Sequence, residues 1–128
     1  MDVIVLVKQV PDVSNIPEDA WDREKGTLRR AMLDSVFLTM GPPAARETLV
    51  DCLSRVPGEA VLLTDKAFAG ADTGATAYSL AQAIRRVERD LLGGSRDYAI
   101  VTGMQSVDGD TAQVPPQIAE ELGIAHIA

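Results

Sequence analysis

Only one cysteine, Cys52, occurs in the 128 residues. A lone thiol builds neither a disulfide framework nor a thiolate metal site, and it suits a reducing cytoplasm. Aromatic side chains are almost as scarce, at 4% of the chain, so the core has to come from Val, Leu, Ile and Ala. That mix suits buried parallel strands covered by helices. Basic residues are outnumbered, 12 Lys and Arg against 19 Asp and Glu, for a formal net charge of −7. Nucleic acid is therefore not the expected partner, since its phosphate backbone is met by clustered Lys and Arg. A small nucleotide held by backbone N–H groups stays open. No apolar run approaches the roughly 18 residues of a membrane helix. The amino terminus starts directly as a strand, so neither a membrane span nor a signal peptide is expected.

What the chain does have is 46% apolar residues, and a length that buries about two-thirds of the unfolded surface of one domain. Val3 to Val7 (VIVLV) is continuously apolar and β-branched, the pattern of a strand buried on both faces. Phe37 to Met40 is a second short strand, stopped by Gly41-Pro42-Pro43. Ala44 to Arg55 carries Leu49, Cys52 and Leu53 at helical spacing, and Ala60 to Leu63 is a third strand. Thr73 to Leu92 is the clearest helix. Its stripe runs through Ala77, Leu80, Ala81, Ile84, Val87 and Leu91, with Asp72 as N-cap and Gly93-Gly94 as its end. Tyr98 to Thr102 is a fourth strand. A helix from about Thr111 to Leu122 is closed by Gly123, and Ile124 to Ala128 begins a fifth strand. Strands alternating with helices predict an α/β fold with a mostly parallel sheet, in a single domain.

One stretch departs from that alternation. Between Lys8 and Ser35, Pro11, Pro17 and Gly26 interrupt any helical stripe, although a parallel crossover normally carries a helix. Either the stretch makes its own turn or small hairpin, or a helix that should precede Leu38 is absent. The chain is expected to be an incomplete protein.

Three stretches carry chemistry. Thr102 to Pro116 places Gly103 at a strand end and leads into a helix. There ligands sit beyond the strand carboxyl ends, and free N–H groups bind phosphate. Ser106, Thr111 and Gln113 add donors, whereas Asp108 and Asp110 repel phosphate unless they are turned away as caps. An Asx-type turn with Asp110 as N-cap and no ligand has equal weight on local chemistry. Asp65 to Thr76 is a second strand end, Gly/Ala-rich loop and helix start, with Thr73 and Thr76 on one face of the first turn. Locally a plain capped helix start explains it better. The third is Lys8-Gln9-Val10-Pro11-Asp12, where Lys8 is placed to meet an anion or simply to end a strand. No triad, Walker loop, GxGxxG element or metal-ligand spacing occurs, and His126 sits in a strand-like tail. Nucleotide-binding loops without acid/base machinery favour a cofactor carrier over a stand-alone enzyme.

Taken together, these stretches resemble the beta subunit of electron transfer flavoproteins. VIVLVKQVPDVSNI is similar to that family's amino-terminal VKQVPD segment, and LTMGPPAARETLVDCL to its MGPP junction. TDKAFAGADTGATAYSLA resembles its AFxGADTxAT loop, and GMQSVDGDTAQVPPQIAEELGI its adenine-nucleotide signature. Four motifs in the family's order are far more specific than any one of them.

The resemblance implies a Rossmann-like, adenine-nucleotide hydrolase-like domain that pairs with an alpha subunit and carries electrons. It implies FAD in this subunit if the chain is of the electron-bifurcating type, or AMP if it is a housekeeping carrier. The AFAGADT loop and MGPP junction look more like the bifurcating type. Implied redox partners are NADH, an acyl-CoA dehydrogenase-type flavoenzyme and a low-potential acceptor such as ferredoxin. The implied cofactor-binding set is Val7, Lys8, Gly70, Asp72, Thr73, Thr76, Gly103, Gln105, Ser106, Val107, Asp108, Gly109, Asp110, Thr111 and Gln113. Three departures from the family stand out. A helix-containing segment that begins with an Asn-Pro-(Phe/Tyr)-Asp-like turn is missing between Phe37 and Leu38. Pro116 stands where a glycine is usual, and the family's carboxyl-terminal half is not in the sequence. Rival readings are an ATP-using ligase or synthetase, which needs an SGGxDS-type loop where Lys8-Gln9-Val10-Pro11 stands, a structural fragment that binds nothing, and a signalling module of the universal stress protein kind. The last needs a glycine-spaced loop after the fourth strand that Gly103 to Gly109 does not supply.

Overall fold

The computed structural model describes residues 1–8, 35–106 and 108–127. The expected turn or hairpin between Lys8 and Ser35 lies almost wholly outside them. Four strands form one parallel sheet in the order β3-β2-β1-β4: β1 (Asp2–Leu6), β2 (Ser35–Met40), β3 (Glu59–Leu63) and β4 (Tyr98–Val101). Helices α1 (Arg46–Arg55), α2 (Thr73–Asp90) and α3 (Val114–Leu122) complete the fold. The expected α/β, Rossmann-like class is what the chain adopts.

Strand β2 shows why these apolar runs become central strands. Val36 and Leu38 turn to one face and Phe37 and Thr39 to the other, and all four are buried. The strand is unbroken through Phe37 and Leu38, pairing with β1 on one side and β3 on the other. On the first face Ile4, Val36 and Leu38 meet Ala77, Leu80, Ile84 and Val87 of α2 and Ile118 of α3. Fully burying a side chain such as Ile4 or Ile84 stabilises the fold by about 1.5–3 kcal/mol. The two helices also pack along each other, and Arg85 donates to the Glu121 carbonyl at 2.6 Å. On the second face α1 lies against β2 and β3 and buries Leu49. Gly58 has to be glycine, since a Cβ there would fall 2.3 Å from the Ser35 carbonyl oxygen.

Two expectations require correction. Helix α3 begins at Val114 rather than near Thr111, because Asp110 and Ala112 have φ of 52° and 55° and cannot be helical. The expected fifth strand is not formed by residues 124–127; Ala128 lies outside the described residues. Gly123, at φ 67°, lets the Ile124 N–H reach back to the Ala119 carbonyl at 3.0 Å, which ends α3. The residues beyond it then run beside β4 without ladder hydrogen bonds, and a strand without a ladder has nothing to hold it. Between them and β4 lies a cleft of ≈ 570 Å³ lined by Tyr98, Ile100, Ile118 and Leu122, and Ile127 is 94% exposed. Among the described residues, no helix is long and apolar enough to cross a membrane.

Candidate functional site

Strand order decides where the loops meet. From β1 the chain goes outward to β2 and β3 on one side, then returns to place β4 on the other side of β1. The order reverses between β1 and β4, and ligands of open α/β sheets bind in the crevice beyond the strand carboxyl ends at that point. Lys8 follows β1 there, and the loop from Gly103 follows β4.

The structure joins the two. Lys8 Nζ donates to Asp108 Oδ1 and Oδ2, each at 2.8 Å, and to Ser106 Oγ at 3.3 Å. Asp108 also accepts the Gly109 N–H at 2.8 Å, and the Asp110 N–H donates to the Ser106 carbonyl at 2.9 Å. The Lys8 ammonium, with help from the Ser106 hydroxyl, holds the Asp108 carboxyl well below the usual carboxylate range. The second acid in the loop is also engaged, since the Gln105 side-chain amide donates to Asp110. Lys8 offsets the Asp108 charge, which answers the objection of phosphate repulsion for that residue, while Asp110 keeps its charge and has only a neutral amide partner.

Beyond this turn the backbone opens. The N–H groups of Thr111, Ala112, Gln113 and Val114 make no hydrogen bond to another described residue. Gln113 is the N-cap of α3, yet its side chain caps nothing, so the expected Asp110 cap is replaced by an uncapped start. Pro115 and Pro116 then have no N–H to offer. Asp110 and Ala112 are the only non-glycine residues at positive φ among those described. Asp tolerates that region, but an alanine there costs about 1–2 kcal/mol. Ala112 at positive φ is followed by Gln113 in the right-handed region, and such left–right pairs are the kind of backbone turn that builds anion-binding concavities. Strain of this kind persists where the surroundings enforce it, and it clusters at ligand sites.

The second expected loop is built differently. The Asp72 carboxylate accepts the Ala75 N–H at 2.7 Å, and Thr76 N–H donates to the Asp72 carbonyl at 2.9 Å. Asp65 caps the short 3-10 turn Lys66–Phe68 before it in the same way. Gly70 is exposed at φ 74°, Thr73 is the first helical residue, and Thr73 and Thr76 are half-buried. No hydrogen bond or ion pair joins these residues to the described residues of the loop after β4.

Of the remaining expected site residues, Val7 lies just beyond β1, its N–H still paired with the Leu38 carbonyl at 3.0 Å. Gly103 is exposed at the end of β4, Thr111 and Gln113 are exposed in the open backbone, and Val107 lies outside the described residues. Sequence reasoning missed Ala112, whose φ nothing local encodes, and missed that the two prolines strip the helix start of donors. That second point was available from Val114-Pro115-Pro116 alone. Away from the site, Tyr98 donates to Glu88 at 2.8 Å, and burial followed by this hydrogen bond pushes its phenol up to about 12. Burial also pushes up the Cys52 thiol, which leaves it a poor nucleophile. No group of His, Cys, Asp or Glu among the described residues could hold a metal ion.

Known proteins place the chain. The electron transfer flavoprotein domain family matches residues 28–128. The chain is 37% identical to the electron transfer flavoprotein subunit beta of Clostridium acetobutylicum, covering 99% of this chain and 54% of that protein. It is 48% identical to protein FixA of Azotobacter vinelandii, covering 95% and 50% respectively. With subunit CarD of the caffeyl-CoA reductase-Etf complex of Acetobacterium woodii it shares 36% identity, over 95% of this chain and 52% of that one. The chain thus spans about half the length of the curated relatives it matches. With a parallel sheet of the matching class and a family match over most of its length, the chain belongs to the electron transfer flavoprotein domain family.

Proposed function

We propose that this chain is the nucleotide-binding part of an electron transfer flavoprotein beta subunit, with the loop after β4 holding a phosphate of an adenine nucleotide. The observation that carries the reading is the run of unpaired N–H groups from Thr111 to Val114, set at the switch point by a strained backbone. The donors present fit a phosphate: backbone amides, the Thr111 hydroxyl and the Gln113 side-chain amide, with the Asp108 charge already offset by Lys8. FAD, when bound, supplies redox chemistry that no side chain here can perform. The protein's part is to position the nucleotide and to balance charge around it. The alpha subunit, NADH, an acyl-CoA dehydrogenase-type flavoenzyme and ferredoxin belong to the same proposal, as partners of the full-length protein.

The AFAGADT loop supports FAD in this subunit through its resemblance to the bifurcating type. AMP, with one phosphate, needs only the loop after β4. The Asp72 carboxylate takes the Ala75 N–H, while the Thr73 and Gly74 N–H groups make no hydrogen bond to another described residue and remain for the second phosphate of a dinucleotide. Cofactor release from the full-length heterodimer, after reconstitution with excess FAD, separates the two. Two FAD per heterodimer assigns FAD to this subunit, and Thr76→Val should then lower the occupancy of only one. One FAD with one AMP assigns AMP. Absence of any adenine nucleotide beyond a single FAD would remove the reading.

A further inference from the structure

We propose that Lys8 and Asp108 form a latch that shapes the loop after β4, so that Lys8 is a positioning residue for the bound phosphate and not one of its ligands. The inference rests on the nucleotide reading above. A lysine at the end of the central strand, facing a phosphate loop, would ordinarily be assigned to the anion itself. Here its donors are already committed. An ammonium has three N–H donors, and Nζ has three acceptors within reach: both Asp108 oxygens at 2.8 Å and Ser106 Oγ at 3.3 Å. Meeting a phosphate would mean giving up one of these bonds and partly unpairing Asp108 beside the incoming anion.

What the contact does instead is join two ends of the fold. Lys8 follows β1, where the Val7 N–H is tied to the Leu38 carbonyl of β2, and Asp108 lies 100 residues further along the chain. Held by Lys8, Asp108 takes the Gly109 N–H, and Ser106 takes the Asp110 N–H through its carbonyl. These bonds consume the first amides of the turn, and the next four, from Thr111 to Val114, make no hydrogen bond to another described residue. Gly109 packs beside this arrangement, and a Cβ there would lie in ordinary contact with Ser106 Oγ, at 3.4 Å. The Lys8 and Asp108 side chains are 53% and 37% exposed. An ion pair in that setting contributes little to global stability. Its consequence is local, in the shape of the loop.

The two roles predict opposite signs for one substitution. If Lys8 were a phosphate ligand, Asp108→Ala would free it and remove a negative charge, and affinity would hold or rise. A latch predicts that Asp108→Ala weakens binding even though a repelling charge is gone. The experiment uses the full-length protein with its partner subunit, stripped of nucleotide and titrated by calorimetry with AMP and, separately, with FAD. Lys8→Met and Asp108→Ala should each raise Kd by about three- to tenfold, and the double variant should be no worse than either single, as expected for residues acting as one unit. Lys8→Arg, which can still pair with the carboxylate, should restore most of the affinity. In the nucleotide-free protein, hydrogen exchange of the peptide spanning 103–113 should quicken in Lys8→Met while the rest of the chain keeps its wild-type rates. Additive effects, or an unchanged or tighter Kd in Asp108→Ala, would overturn the latch. So would an unchanged exchange rate in the loop. If the wild type binds neither AMP nor FAD, the nucleotide reading fails, and loop exchange alone still decides whether the latch exists.

Discussion

Helix α2 begins at Thr73 behind Asp72, whose carboxylate accepts the Ala75 N–H, whereas α3 begins at Val114 behind Gln113, whose side chain accepts nothing. Both follow a strand, a glycine-containing loop and an Asp-Thr pair, Asp72-Thr73 in one and Asp110-Thr111 in the other. In the first, Asp and Thr sit at the cap and the first helical position, so the pair completes the helix. In the second they stand before the helix, with Asp110 at positive φ, and the amides that follow stay unpaired. The start of α2 has one amide capped by its own side chain and no non-glycine residue at positive φ; the start of α3 has no side-chain cap and follows two such residues, and the proposed phosphate role rests on that difference. The burial pattern agrees with that division: α2 buries Ala77, Leu80, Ala81, Ala83, Ile84 and Val87, and α3 only Ile118 and Ala119.

The division can be broken from either side. The largest effect is expected from Ile84→Ala, which empties a fully buried position and should cost about 2–5 kcal/mol in urea unfolding. Nucleotide affinity of the protein that remains folded should not change, and a parallel loss of affinity would mean that α2 also shapes the site. Next comes Gly109→Val, which adds a branched side chain within the proposed phosphate loop and should weaken nucleotide binding by about tenfold or more, roughly 1.4 kcal/mol. Its unfolding midpoint should stay near that of the wild type, and unchanged nucleotide content in the heterodimer would remove this loop from the site. Asp72→Ala removes a helix cap and should cost about 1 kcal/mol of stability. If it also weakens nucleotide binding, the start of α2 belongs to the site as well.

The smallest effect concerns the tie between α2 and β4. The Tyr98 phenol is raised from 10.0 to about 12 in the folded chain, by burial first and then by Glu88. The unfolded state therefore loses this proton first, so stability should fall as pH rises from about 10 to about 12 and be unaffected by this group below that window. Thermal melts across the window should show the decline, and Tyr98→Phe should flatten it. An equal decline in the variant would assign it to other groups.

Much of this was legible in order along the chain. The runs VIVLV, AVLL and YAIV became β1, β3 and β4 within a residue or two, and the stripe from Ala77 to Val87 became the buried face of α2. Asp72 was readable as an N-cap and Gly123 as a helix end, since both act through residues close by. The start of α3 was not readable in the same way. Asp110 had the composition of a cap, but the prolines and the left-handed residues move the helix on to Val114. The expected fifth strand failed for a different reason. Ile124 to Ile127 have strand-like composition, but composition supplies no hydrogen-bond partner.

The sequence by itself determined the alternation of strands and helices, the buried face of α2 and the Asp72 cap, because periodicity and capping act over a few residues. It also singled out two loops as candidates for a phosphate. Only the tertiary structure decided which of them starts its helix without a side-chain cap. The order β3-β2-β1-β4 puts the end of β1 beside the loop after β4, so that Lys8 meets Asp108 across 100 residues of sequence. No local rule encodes that meeting, because it depends on which strands become neighbours in the sheet, and packing of the whole core settles that.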